Sequence, residues 1–157
     1  MRKGITMTVH HVLVPIDFSP YAEQALAYAI ALAQKLHARV TLLHVIQPPL
    51  GVGADMGVWP SPAFFDELEA AIMCDMEGYL ARVTAAGLAG EMVVVPGVPF
   101  QEILDTAKKR QVDLIIMGTH GRTGLKHVLL GSVAEKVVRL APCPVLIARQ
   151  PTSAAVS

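Results

Sequence analysis

Residues 113–149 read DLIIMGTHGRTGLKHVLLGSVAEKVVRLAPCPVLIAR. The stretch opens with an apolar run, 114–117, of the length of a buried strand. Gly118, Gly121 and Gly124 follow as a glycine-rich loop, and Gly131 leads directly into Ser132. Val133, Val137, Val138 and Leu140 then mark an amphipathic helix. Pro142 and Pro144 end it, and 145–148 form a last apolar strand. Strand, glycine loop, helix, strand is a layout that can hold a phosphate chain. Glycines admit close approach and positive φ, so several N–H groups can converge on one anion. The helix start adds free N–H donors and the positive end of its dipole.

Outward from this stretch the alternation continues. Residues 12–16 are apolar throughout, which predicts a strand buried on both faces, as in a parallel sheet. Asp17 stands where that strand stops. Ser19 and Pro20 read as a helix start, a capping serine followed by proline at the first helical position. The helix, 20–37, carries Ala22, Ala25, Leu26, Ala29, Ile30, Ala33 and Leu36 on one apolar face. A second strand, 40–46, contains His44, read as a satisfied core or edge residue. Helix 64–86 has Phe65, Leu68, Ile72, Met76, Tyr79, Leu80 and Val83 at helical spacing, and Gly87 and Gly90 stop it. Met73 and Met76 read as core filler. Strand 92–95 leads through Gly97-Val98-Pro99 into helix 100–110. The basic run Lys108-Lys109-Arg110 suits that helix's carboxyl end. Strands and helices in strict alternation predict a parallel sheet with right-handed crossovers and helices on both faces.

The chain's 157 residues fit one domain with a full core. Apolar content of 53% against 17% charged marks a globular chain. A net charge of zero argues against electrostatic nucleic-acid binding, which needs a basic face. Cys74 and Cys143 stand alone, fit no CxxC pattern and read as small buried hydrophobes. The opening MRKGITMTVHH has no apolar signal core, and no run approaches the roughly 20 residues of a membrane span. A cytoplasmic protein with no membrane partner is expected. Residues 1–9 read as a flexible N-terminus and 150–157 as a disordered tail. The segment 47–63 is broken by proline and glycine yet holds Leu50, Val52, Met56, Val58 and Trp59. It is either a surface for a protein partner or lid, or a loop folded back on its own domain. Gly51, Gly53 and Gly57 nearly spell GxGxxG, but the last spacing is wrong.

The spacing Gly118-x2-Gly121-x9-Gly131-Ser132 resembles the nucleotide signature of the universal stress protein family, in its ATP-binding branch. VLVPIDFSP, LLHV and CPVLI extend the resemblance over nearly the whole chain. It implies one universal stress protein domain, 10–149, with a single-domain α/β fold. That fold is an open five-stranded parallel sheet, Rossmann-like and adenine nucleotide alpha hydrolase-like, in strand order 3-2-1-4-5 with helices on both faces. The switch point then lies between strands one and four, where open α/β sheets bind ligands. ATP, with or without Mg, is the implied cofactor. Asp17 either helps begin the first helix or reaches the ligand; the resemblance favours the ligand and puts it beside the nucleoside. Val45 would contact the adenine through its main chain. Pro15, Ile16, Met117 and Gly131 belong to the implied binding set, and the 97–99 turn to the same edge of the sheet. Backbone N–H groups near Gly118, Gly121, Ser132 and Val133 would hold the phosphates. His120 and Arg122, before Lys126 and His127, are the side chains chosen to neutralise phosphate charge. Ser132 has a competing role, because Ser-Val-Ala-Glu is a capping box with Glu135 at its third position.

Three function classes follow. The first is a nucleotide-dependent regulatory stress-response protein; the second a slow ATPase or phosphoryl- or nucleotidyl-transfer enzyme; the third an interaction protein with a vestigial pocket. No Gly-Lys-Ser/Thr occurs, and no carboxylate pair brackets the glycine loop, which weakens the enzyme class. The complete glycine signature weakens the third. Side chains added at Gly118 or Gly131 are expected to block phosphate while sparing the fold. The strand 145–148 is apolar with no charge and lies at a sheet edge by the implied order, so pairing with a second copy, a homodimer, is expected.

Overall fold

The computed structural model describes residues 8–47, 61–121 and 130–149. Five strands, β1 (His11–Pro15), β2 (Arg39–Ile46), β3 (Gly90–Pro96), β4 (Leu114–Gly118) and β5 (Val145–Ala148), alternate with four helices. These are α1 (Pro20–Leu36), α2 (Pro62–Ala85), α3 (Pro99–Lys109) and α4 (Ser132–Leu140). All strand pairs are parallel and the order is β3-β2-β1-β4-β5, as the resemblance implied.

Successive side chains of a strand point to opposite faces, and the core splits accordingly. Val12, Val14 and Ile16 of the first strand segment join Val40, Leu42, Leu114 and Ile116 in a cluster with α1 and α2. Leu13, Leu43, Ile115 and Met117 face the other way, with Ile103 and Ala107 of α3 and Ala134 and Val137 of α4. Both faces are therefore covered, which explains why the central strands read as unbroken apolar runs. Packing begins before β1: Val9 is buried in the first cluster.

Helix α1 starts where Ser19 Oγ accepts the Ala22 N–H at 3.2 Å, with Pro20 at the first helical position. His37, left-handed at φ 53°, closes it. Its buried face is Ala22, Ala25, Leu26, Ala29 and Ala33, short side chains that let the helix lie close to the sheet. Leu36, expected on this face, is exposed, almost a turn past Ala33, the last buried residue of the helix. Helix α2 begins at Pro62 with Ser61 as its N-cap, so residues 62 and 63 leave the expected loop; 48–60 of that segment lie outside the described residues. Its 24 residues would extend about 36 Å. The seven of β3 reach only about 23 Å, so α2 is longer than the strand that follows it. Phe65 and Leu68 stay exposed in a groove beside Ile46, Val94 and Pro96, and Cys74 is exposed rather than buried. Of the expected N-terminal tail, 1–9, residues 1–7 lie outside the described residues, as does the tail 150–157. No described helix is long and apolar enough to cross a membrane.

Candidate functional site

The switch point falls between β1 and β4, and their carboxyl ends meet there. Ile16 is buried; its N–H donates to the Leu43 carbonyl at 2.8 Å. Its own carbonyl accepts from His44 Nδ1 at 2.7 Å, which fixes the ring proton on Nδ1. His44 is thus a satisfied core residue. Asp17 follows, and its Oδ1 accepts the Ser19 N–H at 3.0 Å. Phe18, between them, is left-handed at φ 62°, a conformation that costs a bulky residue roughly 1–2 kcal/mol. Its ring is held against His44, at 4.7 Å between centroids, and edge-on to Tyr79 of α2, at 5.7 Å.

The two carboxylate oxygens of Asp17 therefore serve different sides. One oxygen shapes the turn into α1. The other faces the β4 loop: a Cβ built on Gly121 would lie 2.9 Å from Asp17 Oδ2.

At the end of β4 the glycines work by close approach. Among the described glycines, positive φ occurs at Gly87 and Gly97, so the expected positive-φ reason fails for Gly118, Gly121 and Gly131. A Cβ on Gly118 would sit 2.6 Å from Tyr21 Cβ and 2.8 Å from the Tyr21 carbonyl oxygen. Gly118 is where α1 crosses β4, so the expectation that a side chain there spares the fold is overturned. Buried Thr119 accepts the Gly131 N–H on its carbonyl at 2.7 Å. This bond clasps the two ends of the glycine loop. A Cβ on Gly131 would lie 3.3 Å from both His120 Cα and Thr119 O. His120 Nδ1 is 3.0 Å from Thr119 Oγ1, and its ring lies 5.2 Å from that of Tyr21.

The clasp also sets where α4 begins. Gly131 is its N-cap, at φ −67° and ψ 159°, and provides no side-chain cap. Ser132 becomes the first helical residue, exposed, and Glu135 the fourth. The expected capping box is not formed; Glu135 pairs with Arg139 at 3.6 Å instead. The opening N–H groups of α4 have no intrahelical acceptor and lie beside the clasp.

Of the expected site residues, Pro15, Ile16, Asp17, Met117, Gly118, His120, Gly121, Gly131, Ser132 and Val133 gather on β1, β4 and the start of α4. Ile16 and Met117 point their side chains into opposite core clusters, so neither side chain is open to the crevice. Val133 packs against the second cluster. Val45 lies near the end of β2, in register with Val95. Gly97, at φ 151°, turns the chain from β3 toward α3 at the same end of the sheet. Arg122, Gly124, Lys126 and His127 lie outside the described residues. Phe18 and Thr119 were not singled out from the sequence; a polar residue directly after a buried strand was the available signal for Thr119, and nothing marked Phe18.

Beside the Phe18 turn, Glu23 of α1 meets Tyr79 and Arg82 of α2. Burial alone would raise the Glu23 pKa, but hydrogen bonds from Tyr79 and Arg82 bring it below the ordinary value. Burial, then the bond to Glu23, pushes the Tyr79 hydroxyl up. Arg82 also lies over the Tyr79 ring, 5.6 Å from its centroid.

A separate polar cluster occupies the opposite end of the strands. His11 Nε2 is 2.7 Å from Thr41 Oγ1, which donates to Glu91 Oε1 at 2.7 Å. The imidazole proton is then on Nε2, and Nδ1 accepts from Arg39 at 3.0 Å. Arg110 also donates to Glu91 Oε1, at 2.6 Å. Burial and then the Arg39 charge lower the His11 pKa. The Thr41 hydrogen bond, with that of Arg110, holds the Glu91 carboxyl below its usual value against the effect of burial. Among the described residues no group of three or more His, Cys, Asp or Glu is placed to hold a metal.

Residues 8–149 match the model of the universal stress protein family. The universal stress protein MJ0531 of Methanocaldococcus jannaschii is 36% identical over 148 residues, 89% of this chain and 82% of that protein. The solved structure of MJ0577, a universal stress protein of the same organism, has a TM-score of 0.81 at 33% identity, covering 93% of this chain and 99% of that one. A universal stress protein solved in complex with cAMP has a TM-score of 0.69 and covers 90% of this chain and 98% of that one; at 24% identity it shows the shared fold. On the family match, the strand order and the relatives together, the chain belongs to the universal stress protein family.

Proposed function

We propose that the chain is an ATP-binding regulatory protein of the stress response, with the nucleotide at the β1–β4 switch point. The observation that carries this reading is the meeting of Asp17 Oδ2 and Gly121 beside the Thr119–Gly131 clasp. An ionised carboxylate only accepts hydrogen bonds, so Asp17 suits ribose hydroxyls. The free N–H groups of Ser132 and Val133 suit phosphate, at the positive end of the α4 dipole. At Gly121 and Gly131 the place of a Cβ is bounded by Asp17 Oδ2 and by the main chain of Thr119 and His120, so glycine there lets the loop ends close up around the Asp17 carboxylate. The cAMP complex supports the class of ligand, since that protein of the same fold holds an adenine nucleotide. His120 and Arg122 neutralise phosphate charge, and Val45 presents its main chain to the base. Mg, where ATP carries it, would be held chiefly by the phosphates.

The protein acts in the cytoplasm as a homodimer through β5, an edge strand with one partner in the sheet. Val138 and Leu140 on α4 add exposed apolar surface. Nucleotide occupancy biases assembly and loop conformation, and turnover lies far below the enzyme range of about 1 to 10³ per second. Mass spectrometry of natively purified protein, followed by calorimetry with ATP, tests the reading. A bound adenine nucleotide and a dissociation constant in the micromolar range, roughly 8 kcal/mol, are expected. Failure of ATP, ADP and AMP to bind at millimolar concentration overturns it.

A further inference from the structure

The geometry points to His44 as a positioning residue that holds Asp17 in line for the nucleotide. The inference rests on the reading of Asp17 as a ligand to the nucleoside. The two neighbours of Asp17 are both held by one side chain. On the N-terminal side, the Ile16 carbonyl takes the His44 Nδ1–H at 2.7 Å. The peptide joining Ile16 to Asp17 is planar, so fixing its oxygen fixes the plane that leads into Asp17 Cα. On the C-terminal side, Phe18 adopts φ 62°, and its ring rests on the same imidazole at 4.7 Å. Tyr79 also packs edge-on against that ring, at 5.7 Å between centroids.

With both flanking peptides set, the remaining freedom of Asp17 is its side chain. The Ser19 N–H removes that by holding Oδ1, which leaves Oδ2 facing Gly121. A binding group is effective when a second layer of contacts locks its geometry. His44 supplies that layer from β2, the strand that also carries Val45. It touches no ligand in this arrangement and acts through residues 16 to 18.

A double-mutant cycle tests the assignment, with ATP affinity measured by calorimetry and folding followed by thermal melting. His44→Leu should weaken ATP about tenfold in the parent, and by less than about twofold in Asp17→Ala, because the lost interaction is already absent there. His44→Asn should recover most of the loss, since its amide nitrogen can occupy the position of Nδ1 and donate to Ile16. Equal loss from His44→Leu in both backgrounds would show a general structural role and overturn the proposal. An Asp17→Ala variant that binds ATP as the parent does would instead overturn the nucleotide reading of Asp17 itself. The unaltered protein gives a second measurement that does not depend on the variants folding. The His44 Nδ1–H should appear in NMR as a protected signal and shift on adding ATP. A signal that exchanges freely or ignores ATP counts against the assignment.

Discussion

Asp17 and Gly121, far apart in sequence, meet so closely that a Cβ on Gly121 would stand 2.9 Å from Asp17 Oδ2. The carboxylate cannot simply swing away, since its other oxygen holds the Ser19 N–H. Gly121→Ala should therefore displace Asp17 at small cost to the fold, within about 1 kcal/mol for a loop site. ATP affinity should fall about tenfold or more, in keeping with the loss of a hydrogen bond to a charged group. Calorimetry and denaturant melts on the same preparation check both halves.

Gly118 and Gly131 should part company. At Gly118 the obstacle is the main chain and Cβ of Tyr21, which cannot yield. Gly118→Ala should cost about 1–3 kcal/mol of stability, as overpacking does. At Gly131 the nearest atoms are at 3.3 Å, so Gly131→Ala should stay within about 1 kcal/mol of the parent yet bind ATP more weakly. Urea denaturation read beside ATP titration distinguishes the two patterns. Equal stability of both variants would contradict the packing argument.

Stability should fall in mild acid because of His11. Its folded pKa lies below the ordinary value of about 6.5 for histidine, so between the two values the unfolded chain binds the extra proton. The contribution is fully present above about pH 6.5 and is lost as pH falls toward the folded pKa. Protonation would put a proton on Nδ1, which the Arg110 carbonyl at 3.2 Å can accept, but it would also set the cation against the Arg39 guanidinium. Arg39→Gln should shrink this acid loss by removing that charge. Urea midpoints at pH 7.5, 6.5 and 5.5 for both proteins provide the comparison.

The edge strand makes a sharp test of the proposed dimer. The Ile115 N–H donates to the Pro144 carbonyl, so 144, 146 and 148 face β4. Alternate residues of a parallel ladder point opposite ways, and the main chain of Val145 and Ile147 therefore faces outward. Ile147→Pro removes an outward donor and leaves the β4 ladder intact. Sedimentation should show a parent dimer and a variant monomer at micromolar concentration. A parent that sediments as a monomer with and without ATP rules out the assembly.

The fold was legible because the two periodicities are clean. Unbroken apolar runs at 12–16 and 114–117 mark strands covered on both faces, and the alanine face of α1 announces a helix laid close on them. Periodicity alone could not tell that the first turns of α2 leave Phe65 and Leu68 exposed, or that Cys74, midway along the helix between buried Ile72 and Met76, faces away from the core. Helical spacing likewise does not separate Val137, which is buried, from Val138 and Leu140, which are not. Within the candidate site, glycine spacing led to the loop, but the reason glycine stands at 118 is a helix crossing that only three dimensions reveal. Ser132 misled because a capping box is a local pattern, whereas the Thr119–Gly131 bond that sets the start of α4 is not local. The left-handed Phe18 has no local signature at all, since its conformation is fixed by His44 and Tyr79 from other elements.

The split core has a consequence for the end of β1. Val12, Val14 and Ile16 belong to one cluster and Leu13 to the other, so this segment can sit in one phase only. A one-residue slip would send each of these side chains to the wrong layer. The same slip would carry Asp17 into the place of Ile16, out of reach of Gly121. The hydrophobic interior thus serves as a ruler: it measures out the chain and determines at which step the carboxylate arrives at the rim.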